Sequence, residues 1–215
     1  MTQFVFTFLN GITLAGLYFL VASGLTLIFG LMRVINLAHG AFYLLAGYIS
    51  WTVADKTNNW FYGAVVGALS LGVFGTLVYV LLLRKFQYEE LRVALITLGV
   101  SLVLAQAMLA IFGGEYYQTN IPTPLSFTIP VPGLGLSYPF FRIFVLLLAI
   151  AVAIGLWIFI TKTRYGAIIR AGVDDTTMVS ALGINVQAVF IWIFFLGSLL
   201  VGFAGAVGGT ANSFG

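Results

Sequence analysis

Charge is what this sequence has least of. Only 7% of its 215 residues are Asp, Glu, Lys or Arg, against 61% hydrophobic ones, whereas a soluble domain carries about 25% charged and 45–50% apolar residues. Too few solvated side chains remain to cover a water-facing surface, so the chain reads as a membrane protein. A soluble enzyme and a disordered segment are excluded. Nine Lys and Arg against six Asp and Glu leave +3, a surplus spread too thinly for the basic patch that a nucleic-acid partner requires. There is no cysteine, which removes disulfides, thiolate metal sites and cysteine nucleophiles. Also missing are a G-x-x-x-x-G-K-[ST] phosphate loop, a His/Glu cluster at metal-ligand spacing, and any Ser/His/Asp or paired-acid constellation within an apolar run. The chain is therefore expected to be no enzyme and to need no metal or cofactor. Any energy it uses must come from another subunit or an ion gradient.

The scarce charges punctuate the sequence. Charge-free runs cover 4–31, 34–54, 60–83, 93–114, 143–160 and 184–209, each near the roughly 20 apolar residues that span a bilayer. The expected fold class is an all-α polytopic membrane protein, a single domain over 1–215 with about six transmembrane helices. The first run lacks a basic leader and is too long for a signal peptide. Short cytoplasmic loops are enriched in Lys and Arg, so Arg84, Lys85, Arg92, Lys162, Arg164 and Arg170 are placed inside. Residues 55–59, the loop 115–139 and the amino terminus then lie outside. All five prolines fall in that external loop, which is expected to be extended and turn-rich, a cap or docking surface. Kinks in the spans must come from glycine. Gly63/Gly67 and Gly205/Gly209 are small-xxx-small pairs, expected to pack helices within the subunit, with a dimer contact or a lining of the transport pathway as the other readings.

Three places carry more than hydrophobicity. If the second run is helical from its start, Asn36, His39, Gly40, Tyr43 and Gly47 share one small, polar face. Such a face points to the bundle interior or a water-filled cavity. His39 and Asn36 are expected to satisfy backbone carbonyls or neighbouring helices; lining of a pathway or gate by Asn36, His39, Gly40 and Tyr43 is the second reading. Proton relay by His39, the single histidine, comes third, since no acid lies inside any span. Thr97 and Ser101, one turn apart, bond to carbonyls or line a polar path. The internal loop 161–183 holds five charges, Lys162, Arg164, Arg170, Asp174 and Asp175. Asp174 or Asp175 is expected to cap a short amphipathic helix on which Met178, Ala181 and Leu182 form an apolar stripe, ended by Gly183. With two acids at its start, that helix suits a groove on a partner better than a lipid surface.

The run Gly30-Leu-Met-Arg-Val-Ile-Asn-Leu-Ala-His-Gly40 with Tyr-Leu-Leu-Ala-Gly-Tyr at 43–48 resembles the I-N-x-A-H-G signature of LivH-type permease subunits of branched-chain amino acid ABC transporters. Tyr165-Gly166, Arg170-Ala171, Asp175, Met178 and Leu182-Gly183-Ile184-Asn185-Val186 are similar to that family's cytoplasmic coupling loop, and the likeness covers essentially the whole chain. The resemblance implies an importer in a bacterial inner membrane. Two permease subunits form its pathway, ABC ATPase subunits drive it, and a periplasmic solute-binding protein delivers a branched-chain amino acid or a related small solute. The usual partner is a second, related permease subunit. Arg164, Arg170, Asp174, Asp175, Met178, Leu182 and Gly183 would couple to the ATPase. Gly172-Val173 and Thr176-Thr177 depart from the family's usual coupling residues, and the sequence stops after the sixth run where such permeases continue, so further segments are expected to be missing. The competing readings are an ion-coupled carrier or facilitator using His39, and a non-transporting scaffold.

Overall fold

A computed structural model describes residues 2–33, 35–131, 136–174 and 176–213. Long helices follow the apolar runs: α1 (Thr2–Met32), α2 (His39–Thr57), α3 (Trp60–Val78), α4 (Glu90–Phe112), α5 (Phe140–Lys162) and α8 (Val186–Ala211). Between the last two lie α6 (Arg164–Asp174) and α7 (Thr176–Ala181). Among the described residues five helices are long and apolar enough to cross a membrane; α2 is not one of them. Its 19 residues reach about 28 Å at 1.5 Å per residue. It ends in Asp55 and Lys56 and buries His39, Phe42, Ala46, Tyr48, Ser50 and Ala54. A helix enclosed by protein needs less hydrophobicity than one facing lipid, which is why α2 is the least apolar of the six.

The centre of the bundle is α8, which packs against α1, α2 and α3. Half of its most apolar window is buried, against 11% for α4 and α5. Those two present Leu95, Leu102, Val103, Ile111, Leu147 and Ile154 outward, the pattern of a bilayer-facing helix. Lipid supplies no hydrophobic drive for helix association, so close backbone approach must hold the centre together. The glycines allow it. Gly63 and Gly67 of α3 lie on Ala46, Ser50 and Ala54 of α2, Gly75 lies on Ser198 of α8, and Gly205 lies on Tyr43 and Ala46. Both the Gly63/Gly67 pair and Gly205 therefore pack helices inside the subunit.

The last turns of α3 widen into a π-helical segment, Tyr79–Leu83. Such an i→i+5 turn is rare and turns a side chain out of the α-helical register. Here it buries Tyr79 completely, with its ring stacked on Phe194 at 5.3 Å. The phenol donates to Gln87 Oε1 (2.8 Å) and lies 3.2 Å from Gln187 Oε1.

Two ends of the bundle differ in charge. Arg33, Arg84, Lys85, Arg92, Lys162, Arg164 and Arg170 lie at one, and only Lys56 and Arg142 at the other. At that second end the proline-rich connection forms an antiparallel hairpin, β1 (Thr128–Val131) with β2 (Leu136–Pro139), paired from Thr128↔Pro139 to Val131↔Leu136. Proline lacks an N–H, so it suits a two-stranded ribbon, where every strand is an edge. Pro139 leads into α5, Phe127 stacks on Phe140 at 4.4 Å, and the Arg142 guanidinium donates to Asn10 Oδ1 of α1. The hairpin is thus clamped to α1 and α5.

Candidate functional site

The polar residues singled out from sequence fall at the basic end of α1, α2 and α4. The second long helix starts later than its apolar run. Arg33 adopts φ 52° and ends α1, and α2 starts only at His39. Asn36 is therefore not on the helical face shared by His39 and Tyr43, and its position is corrected to the turn before α2. The reason is local: Asn36 Oδ1 accepts from Ala38 N (3.1 Å) and Asn36 O accepts from His39 N (3.2 Å), a side-chain turn that competes with helix. Thr97 pins the same turn from α4. Its hydroxyl accepts from Leu37 N (3.1 Å) and donates to Ala94 O (3.0 Å), and it is fully buried. Ser101, one turn on, is half-buried, and Gly40 is exposed with open space around it. Neither joins the buried polar group.

His39 reaches from α2 to α1. Its Nε2 lies 3.0 Å from Val21 O. A carbonyl only accepts, so Nε2 carries the proton and Nδ1 is left as a bare acceptor. Nδ1 has no partner among the described residues, nor has Asn36 Nδ2, although both side chains are at least 95% buried. The ring sits where α1 crosses α8: a Cβ on Gly24 would meet Gly197 O and come within 3.2 Å of His39 Cε1. Three helices thus meet at one imidazole. Tyr43, one turn along α2, lies against Gly205 and Gly208 of α8. Hydrogen bonds tie α2 and the turn before it to α1 and α4, and close glycine contacts set α8 against α1 and α2.

The second group is an elbow. Instead of one short helix after the acids there are two: α6, unforeseen from sequence, and α7. Asp174 closes α6 rather than opening α7, so its expected place as the first cap is corrected; Asp175 lies outside the described residues. The α6 helix hides Gly166, Ile169 and Gly172 and exposes Arg164, Tyr165, Arg170 and Ala171. A Cβ on Gly166 would meet the carbonyls of Phe159 and Ile160, so only glycine lets α6 fold back against the end of α5. Arg170 donates to that same Ile160 carbonyl, closing the elbow with a cation at the α5 C-terminus, where the helix dipole favours one. In α7 Val179 is buried while Met178 is 64% exposed, and Leu182, just past its end, is 70% exposed. The Leu182–Val186 motif now has a physical sense. Leu182 N bonds to Met178 O (3.1 Å), Gly183 takes φ +80°, and Asn185 Oδ1 caps α8 by accepting from Ala188 N (3.1 Å). One helix stops and the next starts with four residues between them.

Several residues of this architecture carried no signal in the sequence. The Tyr79, Gln87 and Gln187 network joins the end of α3 to the start of α8, across more than a hundred positions. Ser50 and Ser198 hide their hydroxyls against Gly67 and Gly75. Only the Gly63/Gly67 spacing hinted at the first of these contacts.

Comparison with known proteins gives the group its family. Residues 7–212 match the family described as branched-chain amino acid transport system, permease component. The high-affinity branched-chain amino acid transport system permease proteins LivH of Escherichia coli and of Salmonella typhimurium are each 25% identical over 219 residues, covering 92% of this chain and 68% of theirs. BraD of Pseudomonas aeruginosa, a permease protein of the same description, is 26% identical over 210 residues, covering 91% and 67%. No solved structure matches the chain. The matched stretch holds both the turn at Asn36–His39 and the elbow at Arg164–Gly183, and the chain belongs to the family of branched-chain amino acid transport system permease components.

Proposed function

We propose that this chain is one permease subunit of an ATP-binding-cassette importer in a bacterial inner membrane, working with a second permease subunit and taking up branched-chain amino acids or a related small solute. The observation that carries the reading is the elbow at the basic end. A six-residue helix that exposes Met178, with Leu182 exposed just past its end, follows α6, which Gly166 and Arg170 brace on α5; the pair makes a coupling lever that fits a hydrophobic groove. In this reading that end is cytoplasmic and the groove belongs to an ATPase subunit, with Arg164, Arg170, Asp174, Asp175, Met178, Leu182 and Gly183 at the contact. The proline-rich hairpin faces a periplasmic solute-binding protein.

Motion of the elbow has a short route inward. Gly183 and Asn185 join α7 directly to α8, and α8 crosses α1 beside His39. Asn36, His39, Tyr43 and Thr97 are the gate in this scheme; Gly40 and Ser101 are pathway candidates on the same two helices. An ion-coupled carrier is less well supported. The imidazole is engaged with Val21 O, and the five acids among the described residues stand at helix ends or in loops, so none of these carboxylates is placed to pass it a proton.

The test is the double variant Met178→Asp/Leu182→Asp. It is expected to insert normally in the membrane, to lose co-purification of the ATPase, and to lose uptake. Unchanged uptake would overturn the coupling assignment.

A further inference from the structure

At the end opposite the basic one, α1, α5 and the end of α8 leave a cavity of about 200 Å³ between them. Its walls change character along their length. On α1, Asn10, Thr13, Leu14 and Leu17 follow the i, i+3, i+4, i+7 spacing of one helical face, polar toward the helix start and apolar deeper in. On α5, Arg142 stands one turn before Val145, and Asn212 lies just past the last residue of α8. The mouth is therefore polar, and the floor of Leu14, Leu17 and Val145 is apolar. A ligand that matches both has a polar head and an apolar tail. The volume lies below the roughly 300–1,000 Å³ of sites for whole drug-sized ligands, so the cavity admits the head and the first carbons of the tail.

Charge sets the depth of that mouth. Lys162, the cation at the other end of α5, follows Arg142 by 20 positions, about 30 Å of helix at 1.5 Å per residue. That length equals the hydrocarbon thickness of a bilayer, and no charged residue lies between the two. Arg142 therefore stands at the level where lipid headgroups begin.

The guanidinium is half-buried and under-used. It donates to Asn10 Oδ1 and its Cζ lies 5.9 Å from the centre of the Tyr138 ring. Among the described residues it makes no ion pair, and no Asp or Glu lines the cavity. A guanidinium carries five N–H donors in a fork that meets a phosphate with two bonds at once. Its place in the first turn of α5 is one where the helix dipole opposes a cation, so an anion there offsets both. The neighbouring groups are matched to an anion as well. Asn10 has spent its oxygen on Arg142 and keeps its N–H donors, while the Thr13 hydroxyl already donates to Leu9 O (3.1 Å). A zwitterionic head would bring an ammonium group to a mouth that has no acid to receive it. We infer that this cavity holds a phospholipid of net negative charge, its phosphodiester on Arg142 and Asn10 and the start of one acyl chain over Leu14, Leu17 and Val145. Bound there, the lipid clamps α1, α5 and α8 together at one end. The inference needs only that the bundle lies in a bilayer, and it stands apart from the importer and its substrate.

The test uses the purified full chain in detergent, titrated with dioleoylphosphatidylglycerol or dioleoylphosphatidylcholine, with bound lipid counted by native mass spectrometry. The wild type is expected to hold phosphatidylglycerol at least tenfold more tightly than phosphatidylcholine. Cations of the basic end take up some phosphatidylglycerol of their own, so the site is read from the difference between variants. Asn10→Asp gives the guanidinium an internal carboxylate that also repels a phosphate; it should melt no lower than the wild type and retain one phosphatidylglycerol fewer. Arg142→Gln should lose the same lipid, and Arg142→Lys, which keeps the charge without the fork, should hold it several-fold more weakly than the wild type. Dimethyl phosphate, a phosphodiester without chains, should not displace the lipid even in large excess. If Arg142 only braces α1 against α5, Asn10→Asp keeps the full complement of lipid. That result, equal retention of the two lipids by the wild type, or displacement by dimethyl phosphate, which would assign the site to a free phosphate, would each overturn the inference.

Discussion

Gly75 is the position at which the packing argument is most exposed to refutation. It lies in the last turn of α3 against α8, and a Cβ placed on it would stand 2.5 Å from Ser198 Cβ. Carbon atoms pack best at about 3.5–4.0 Å, so Gly75→Ala must part α3 and α8 by about 1 Å. The Ser198 hydroxyl can rotate away, but its Cβ is fixed to the α8 backbone. Overpacking of this kind costs about 1–3 kcal/mol. Alanine also gains about 1 kcal/mol of helix propensity over glycine, which would blur a comparison with wild type. Gly155→Ala cancels that gain, because Gly155 is mid-helix in α5 with nothing within 4 Å of its Cβ. The difference between the two variants is then the close approach alone. At about 2–4 °C per kcal/mol for a chain of this length, Gly75→Ala should melt about 2–12 °C below Gly155→Ala, read by size-exclusion of heated samples in detergent. Ser198→Gly in the Gly75→Ala background should restore most of the loss, because it removes the clashing atoms and a hydroxyl with no partner among the described residues. If the two alanine variants melt together, or Ser198→Gly restores nothing, then helix contact at Gly75 does not hold the bundle and the account of its centre is wrong.

Other expectations follow from single bonds. Thr97→Val keeps the shape of a buried side chain but orphans Leu37 N–H, and it should lower stability by about 1–3 kcal/mol in the same melting assay while leaving membrane insertion unchanged. Gly183→Ala meets no atom but forces a left-handed residue at φ +80°, a cost of about 1–2 kcal/mol; uptake should fall more than melting temperature because the strain lies at the elbow. Asn185→Ala should cost about 1 kcal/mol through the lost α8 cap, and Asn185→Asp, which restores an acceptor, should recover it. His39→Gln keeps an N–H donor for Val21 O, so uptake should persist, remain dependent on ATP and survive a protonophore at constant ATP; collapse with the proton gradient would revive the carrier reading.

Much of this was legible because its causes are local. Fifteen charges in 215 residues mark the ends of apolar runs, and Gly183 and Asn185 stop and start helices through their own backbone and side chain. The register errors had local causes as well, but weaker ones. Asn36 sits in an apolar run yet prefers its side-chain turn to helix, which moved the start of α2 to His39. The segment around Arg170 lacks a run long enough to mark a helix, and α6 forms because Gly166 lets it lie on the end of α5.

By itself the sequence determined that the chain lives in a membrane and roughly where its long apolar helices run, and it marked the stop at Gly183, because hydropathy and glycine conformation act over a few neighbouring positions. The tertiary structure alone decided which helix is central and which faces lipid, that Thr97 holds Leu37 across 60 positions and Trp60 holds Thr210 across 150, and that Asn10 and Arg142 share a cavity. Apolar surface buried against another helix and apolar surface facing lipid are the same surface in composition. Only the packing of small residues, settled by the whole bundle at once, tells them apart.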